Sequence, residues 1–309
     1  MNNFYKVLTI LLFSILVNNM IAQEVMNRYS HILTPTSDGY KLKDEEKIRS
    51  LKVFDLDKAP ADMFVPYSTK NLFIQEQDYQ QCETKRFLYK KYPDYDLYLE
   101  VDIPKGKGDL YGMKRMSTYL ASHGIAGVRI SYSLLPQGGN MQKAWSDIQD
   151  VLEFIKKHAE ALGLDKNKFG FGGHSAGAHL SAYAAMRTPG TKLMVGFNGA
   201  YALENIKEGF EPNDHHFQFL GNTPALKKEA SPINFVHTKA PFCLLGYSTG
   251  DDLVDPDQVK LLIAKLDESK VPYELMWSEL YSHSAYLATD LYEPTLMKVL
   301  ITAKKIFKE

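Results

Sequence analysis

Phe169-Gly170-Phe171-Gly172-Gly173-His174-Ser175-Ala176-Gly177-Ala178-His179-Leu180 is the stretch that decides the fold. A short apolar, glycine-rich run leads into Gly173-His174-Ser175-Ala176-Gly177, and an alanine-rich helical pattern follows from Ala178 to about Met186. A strand, a sharp turn and a helix in that order are the surroundings that a G-x-S-x-G nucleophile elbow requires. A serine on so sharp a turn sits at strained backbone angles and needs neighbours without bulk, which Gly173 and Gly177 supply. The turn lifts the Ser175 hydroxyl clear of a sheet edge. The helix that starts there points the Ala176 backbone N–H at the place where an oxyanion would form. Ser175 is the expected nucleophile. Outside that context the same residues would mean only a glycine-rich strand end whose serine caps a helix.

Working outward, apolar strand-like runs alternate with amphipathic segments. Arg86 to Tyr92 and Asp96 to Pro104 read as two strands joined by a turn at Pro93-Asp94. Tyr111 to His123 reads as a helix with Met113, Met116 and Leu120 on one face, and Ile125 to Ser133 as a strand. Asn140 to Leu162 places Ala144, Ile148, Val151 and Ile155 on one stripe of a long helix. Beyond the elbow, strands are expected at Lys192 to Tyr201, Pro241 to Tyr247 and Val271 to Glu279, with helices carrying Val259 to Leu266 and Glu293 to Phe307. Single helices between strands imply an α/β fold built on a doubly wound, mainly parallel sheet. Residues 202–240, with Pro212, Pro224, Pro232 and the run Asp214-His215-His216, interrupt that rhythm and lie where a cap could cover the site.

The chain has 309 residues, 45% hydrophobic and 24% charged, with a net charge of −1. That suits one large α/β domain and argues against a nucleic-acid partner. At the start, Lys6 precedes the apolar run Val7 to Val17, and Met20-Ile21-Ala22-Gln23 follows. A basic residue, a short apolar core and a small residue at Ala22 read as a signal peptide over residues 1–22, cleaved after Ala22. A secreted or periplasmic protein is therefore expected, with no stable membrane anchor. Residues 23–80 read as a polar N-terminal arm, with one helix near Asp44 to Leu51, and residues 81–309 as the catalytic-type domain. Cys82 and Cys243 are the only cysteines, and no bridge is expected between them.

A serine nucleophile needs a base oriented by a carboxylate. The strand ending at Tyr247 runs into Ser248-Thr249-Gly250-Asp251-Asp252-Leu253-Val254-Asp255, and the strand ending at Glu279 into Leu280-Tyr281-Ser282-His283. Both loops fall at the carboxyl ends of strands, the edge where open α/β sheets keep their sites. His283 is the expected base, with His215 and His216 as its rivals among nine histidines. His174 and His179 stand too close to Ser175 in sequence to reach its hydroxyl. Asp251, Asp252 and Asp255 all remain candidates for the acid, although Asp255 precedes Pro256 and could simply start a helix. No metal or organic cofactor is indicated.

The elbow, the loops of Asp251 and His283, Leu120-Ala121-Ser122-His123-Gly124 and Ser131-Tyr132-Ser133-Leu134-Leu135-Pro136 together resemble the α/β-hydrolase superfamily. More narrowly, the chain resembles the esterases allied to hormone-sensitive lipase and to bacterial feruloyl and acetyl-xylan esterases, from about Leu97 onward. The resemblance selects Asp251 as the acid, since Asp251-Asp252-Leu253-Val254 fits the family's D-x-x-V pattern. It implies a serine carboxylesterase working through an acyl-enzyme on small-molecule or carbohydrate esters, such as acetyl or feruloyl groups on polysaccharides. In one place the chain departs from the pattern. Relatives carry an H-G-G motif after a central strand, whose amides complete the oxyanion hole. Here Pro104 passes through Lys105-Gly106-Lys107-Gly108-Asp109-Leu110 directly to the next helix, so both strand and motif are expected to be missing. Losing one oxyanion donor costs roughly 100- to 1000-fold in rate. A catalytically weak or inactive binding protein on the same fold is thus the alternative. A peptidase of related fold is a weaker third.

Overall fold

The computed structural model describes residues 8–12, 33–36, 39–42, 82–93, 95–104, 113–133, 138–207, 209–210, 218–278, 283, 286 and 291–308. Five strands come first in the chain: β1 (Leu8–Leu12), β2 (Leu33–Thr36), β3 (Gly39–Leu42), β4 (Cys82–Lys91) and β5 (Asp96–Pro104). Then follow α1 (Met113–Ser122), β6 (Ala126–Ile130), α2 (Met141–His158), β7 (Phe169–His174) and α3 (Ala176–Arg187). The rest comprises β8 (Leu193–Phe197), α4 (Pro224–Ala230), β9 (Phe242–Ser248), α5 (Asp257–Glu268), β10 (Tyr273–Ser278) and α6 (Tyr292–Lys308). The helix expected near Asp44 to Leu51, the cleavage position at Ala22 and His215-His216 lie outside the described residues.

Among the described residues the main sheet has eight strands in the order β10-β9-β8-β7-β1-β6-β5-β4. From β6 to β10 every pairing is parallel, while β4 and β5 join antiparallel at one edge. This is the doubly wound α/β-hydrolase sheet. The parallel strands read as continuous apolar runs because helices cover them. Phe171, Val195, Leu244 and Leu245 are all fully buried or nearly so. The helices sort by contact: α1 packs with α6, and α2 with α3. The stripe Ala144, Ile148, Val151 and Ile155 joins β5, β6 and β7 in one apolar cluster.

The expectation of a sheet short of its central strand needs correcting. Between β6 and β7 lies β1, paired in parallel with both, Leu8–Leu12 against Ala126–Ile130 and Leu8–Leu11 against Phe169–Gly172. The strand comes from residues read as the apolar core of a leader. Only eight residues, 105–112, separate β5 from α1, too few for a five-residue strand plus a link past β6 and another into α1. A segment arriving from upstream is free of that limit. The correction concerns the strand and not the motif: Leu12 is followed by Phe13-Ser14-Ile15, not by His-Gly-Gly.

Two buried carboxylates fasten the antiparallel edge to the rest. Asp102 on β5 accepts from the Arg129 guanidinium of β6 at 3.0 and 3.3 Å, and from the Ser117 hydroxyl of α1. Asp147 on α2 accepts from Lys90 Nζ at 2.7 Å, the Tyr92 hydroxyl at 2.8 Å and the Ser133 amide at 2.8 Å. Each is fully buried and richly bonded, as a charge removed from water must be.

Candidate active site

The elbow is built where β7 meets α3. Ser175 has φ 55° and ψ −122°, left-handed backbone that a serine adopts only under constraint. The constraint is visible on both sides. Its N–H donates to the Phe197 carbonyl at the end of β8 at 2.8 Å, and its carbonyl accepts the His179 amide of α3 at 3.0 Å. Gly173 lets the turn close: a Cβ there would lie 2.4 Å from the Gly177 carbonyl carbon and oxygen. Ala176, first residue of α3, is exposed beside the serine, and its N–H precedes the first intrahelical bond.

The structure brings Ser175, His283 and Asp251 together. The Ser175 Oγ–H donates to His283 Nε2 at 2.7 Å, and His283 Nδ1–H donates to Asp251 at 2.9 Å (Oδ2) and 3.0 Å (Oδ1). His283 and Asp251 are 7% and 3% exposed, so the pair works away from bulk water. Asp251 is further held by the Leu253 and Val254 amides at 2.9 Å each and by Asn198 Nδ2 at 2.8 Å. Burial pushes its pKa up, but the His283 hydrogen bond and charge, with the two amides, outweigh burial and hold the carboxyl below its usual range. Asp251 therefore stays ionised.

The rival acids go elsewhere. Asp255 accepts the Asp257 amide at 2.9 Å and so starts α5, while Asp252 is exposed. Among the histidines, His179 donates to the Ala230 carbonyl, His158 lies tilted against Phe154, His123 tilted against Tyr119 and His237 against the Met186 carbonyl. Among the described residues no group of three or more His, Cys, Asp or Glu side chains could hold a metal ion.

Three contributors were not legible in the sequence. Asn198, at φ 50° just past β8, orients Asp251 from 53 positions away. His174 Nε2–H donates to the His283 main-chain carbonyl at 2.7 Å with the two rings 4.7 Å apart, so the residue just before Ser175 supports His283. Burial, and then the nearby His283 charge, lower the His174 pKa to about 3, leaving it neutral. Tyr286 reaches the Tyr247 carbonyl at 2.6 Å and the Met276 carbonyl at 2.9 Å, pinning the region after His283 to β9 and β10. The only available signal was placement at strand carboxyl ends, which does not rank one polar residue over another.

Hydrogen bonds just beyond the ladder link the strand ends beneath these side chains. Ser175 N–H bonds Phe197, Asn198 N–H bonds Gly246 at 2.9 Å, and Thr249 N–H bonds Ser278 at 2.9 Å. Near the amino ends of β7 and β8, away from these side chains, a basic groove of about 1000 Å³ between Trp145, Lys156, Arg187 and Lys192 has no part in this geometry.

Known proteins agree with the fold. Esterase LipQ of Mycobacterium tuberculosis is 27% identical over 197 residues, covering 55% of this chain and 45% of LipQ, so the match spans less than half of that relative. An acetyl ester-xyloside bifunctional hydrolase from Caldicellulosiruptor lactoaceticus superposes with a TM-score of 0.58 at 19% identity, covering 72% of this chain and 94% of that one. A carbohydrate esterase from gut microbiota, solved in truncated form, gives 0.59 at 16% identity, covering 73% and 97%. The BD-FAE family profile matches residues 105–266, more than half of the chain, and the protein belongs to that family.

Proposed function

We propose that this protein is a serine ester hydrolase that works through an acyl-enzyme on small acyl esters, with carbohydrate acetyl or feruloyl esters as its substrate class. The carrying observation is the hydrogen-bonded line from Ser175 Oγ through the His283 ring to Asp251. His283 takes the Ser175 proton as the oxygen attacks the ester carbonyl, and the Asp251 charge stabilises the imidazolium that results. The Ala176 N–H supports the tetrahedral oxyanion. His283 then returns the proton to the departing alcohol, and water, activated by the same ring, releases the acid. The carbohydrate reading leans on two structural neighbours, one described as an acetyl ester-xyloside bifunctional hydrolase and the other as a carbohydrate esterase.

A second reading, a hydrolase-fold binding protein with little turnover, is favoured by the absence of His-Gly-Gly after the central strand. Hydrolysis of p-nitrophenyl acetate and acetylated xylan, compared between the wild type and Ser175→Ala, separates the two. Turnover lost in Ser175→Ala, with a fluorophosphonate adduct mapped to Ser175, supports the esterase. A folded wild type with no Ser175-dependent turnover refutes it and leaves the binding protein. Export is a separate proposal, because a cleaved leader and β1 would use the same residues.

A further inference from the structure

The sheet beside the elbow takes its central strand from residues 8–12, far upstream in sequence of the two strands they join. β1 is paired along both edges, to β6 and to β7. β7 leads directly into Ser175, and α3 packs across β1. If Leu8–Leu12 were withdrawn, β6 and β7 would stand two strand spacings apart, about 9–10 Å, too far to pair with each other. Ala126, Val128, Ile130, Phe169 and Phe171 are each at most 2% exposed with β1 in place, and withdrawing it would strip both strands of their ladder partners in the middle of the sheet. Among the described residues no other segment occupies the position.

We propose that Leu8–Leu12 is a working strand of the folded catalytic domain, and that a chain cut after Ala22 carries an open slot between β6 and β7 that accepts an extended apolar peptide. The occupant is the protein's own N-terminal segment. Leader and strand are then mutually exclusive fates of one stretch, and removing the leader would loosen the strand that presents the nucleophile.

Hydrogen exchange on the full chain tests this without any need for activity, so it can fail independently of the esterase reading. Ile10→Pro removes a ladder donor in the middle of β1 and cannot sit in a central strand; Ile10→Val is the conservative control. The expected result is at least about 100-fold faster exchange at residues 126–130 and 169–172 in Ile10→Pro, with 273–278 much less affected and Ile10→Val like the wild type. Unchanged exchange in Ile10→Pro overturns the proposal. Should Ile10→Pro prove insoluble, the 23–309 chain decides. A lower Tm that a synthetic peptide of residues 4–17 raises, and its Ile10→Pro version does not, supports the proposal. A 23–309 chain that unfolds at the full chain's temperature and ignores the peptide overturns it.

Discussion

Replacing Gly173 by alanine probes the elbow at its tightest point. The added Cβ would sit 2.4 Å from the carbonyl carbon and oxygen of Gly177 and 2.9 Å from the Ala178 nitrogen. Ordinary contact begins at 3.4 Å, so the overlap is about 1 Å. All three atoms are main chain, and none can rotate aside as a side-chain tip could. β7 and the first turn of α3 must therefore separate by about that amount. Overpacking of this kind costs about 1–3 kcal/mol, which for a domain of this size lowers Tm by about 5 °C. The separation also moves Ser175 against His283 and the Ala176 N–H against the oxyanion, and a 1 Å misplacement costs about 100-fold in rate. Steady-state hydrolysis of p-nitrophenyl acetate, with active sites counted by fluorophosphonate, should show a loss of that order in kcat and a smaller change in KM. A Gly173→Ala protein with kcat within twofold of wild type and an unchanged Tm would refute the steric account of the elbow.

Asp251→Asn should lower kcat about 10⁴-fold while leaving the fold intact. The Leu253 and Val254 amides still find an oxygen, but the new NH₂ faces His283 Nδ1 and Asn198 Nδ2 and drives the imidazole to the wrong tautomer. Wild-type kcat in that variant would remove Asp251 from the mechanism. His174→Phe keeps the ring contact with His283 but loses the bond to its carbonyl, and should cost about 10-fold in kcat at constant KM. An equal loss in Tm and KM instead would mark His174 as a packing residue. Acid should destabilise the protein through His179, whose pKa burial lowers from 6.5 to about 4 despite its bond to the Ala230 carbonyl. Above pH 6.5 the ring is neutral in both states. Below it the unfolded chain takes up a proton that the folded chain refuses, so stability falls by about 2 kcal/mol by pH 5. Urea titrations at pH 7 and pH 5 should show that loss shrinking in His179→Gln, and an identical loss would rule His179 out as its source.

How far the sequence could be read depended on whether the deciding contacts were local. The elbow announces itself because strand, turn, nucleophile and helix are contiguous from Phe169 to Arg187. Asp251 and His283 could be placed because each follows an apolar run at a strand end. Position along the chain left Asp251, Asp252 and Asp255 open and the family resemblance selected Asp251; in the fold two local amides and His283 converge on Asp251 while Asp255 starts α5. Asn198 and Tyr286 act through partners tens of residues away, and nothing beside them in the chain marks them. β4 begins at Cys82, before its apolar pattern does, because Cys82 pairs with Pro104 across the hairpin. β1 was hidden for another reason: a short apolar run is equally a buried parallel strand or a leader core, and hydrophobic periodicity cannot separate them.

The three main-chain bonds from Ser175 to Phe197, Asn198 to Gly246 and Thr249 to Ser278 join four strand ends into a single crossbar. Ser175, the Asn198 that holds Asp251, and the end of β10 that leads towards His283 all hang from it. The geometry of the proposed triad is thus a property of the sheet as a whole, and no one loop can drift away while the others stay aligned. On heating, turnover and tertiary structure should fade together in a single cooperative step, leaving no temperature window of folded but misaligned protein.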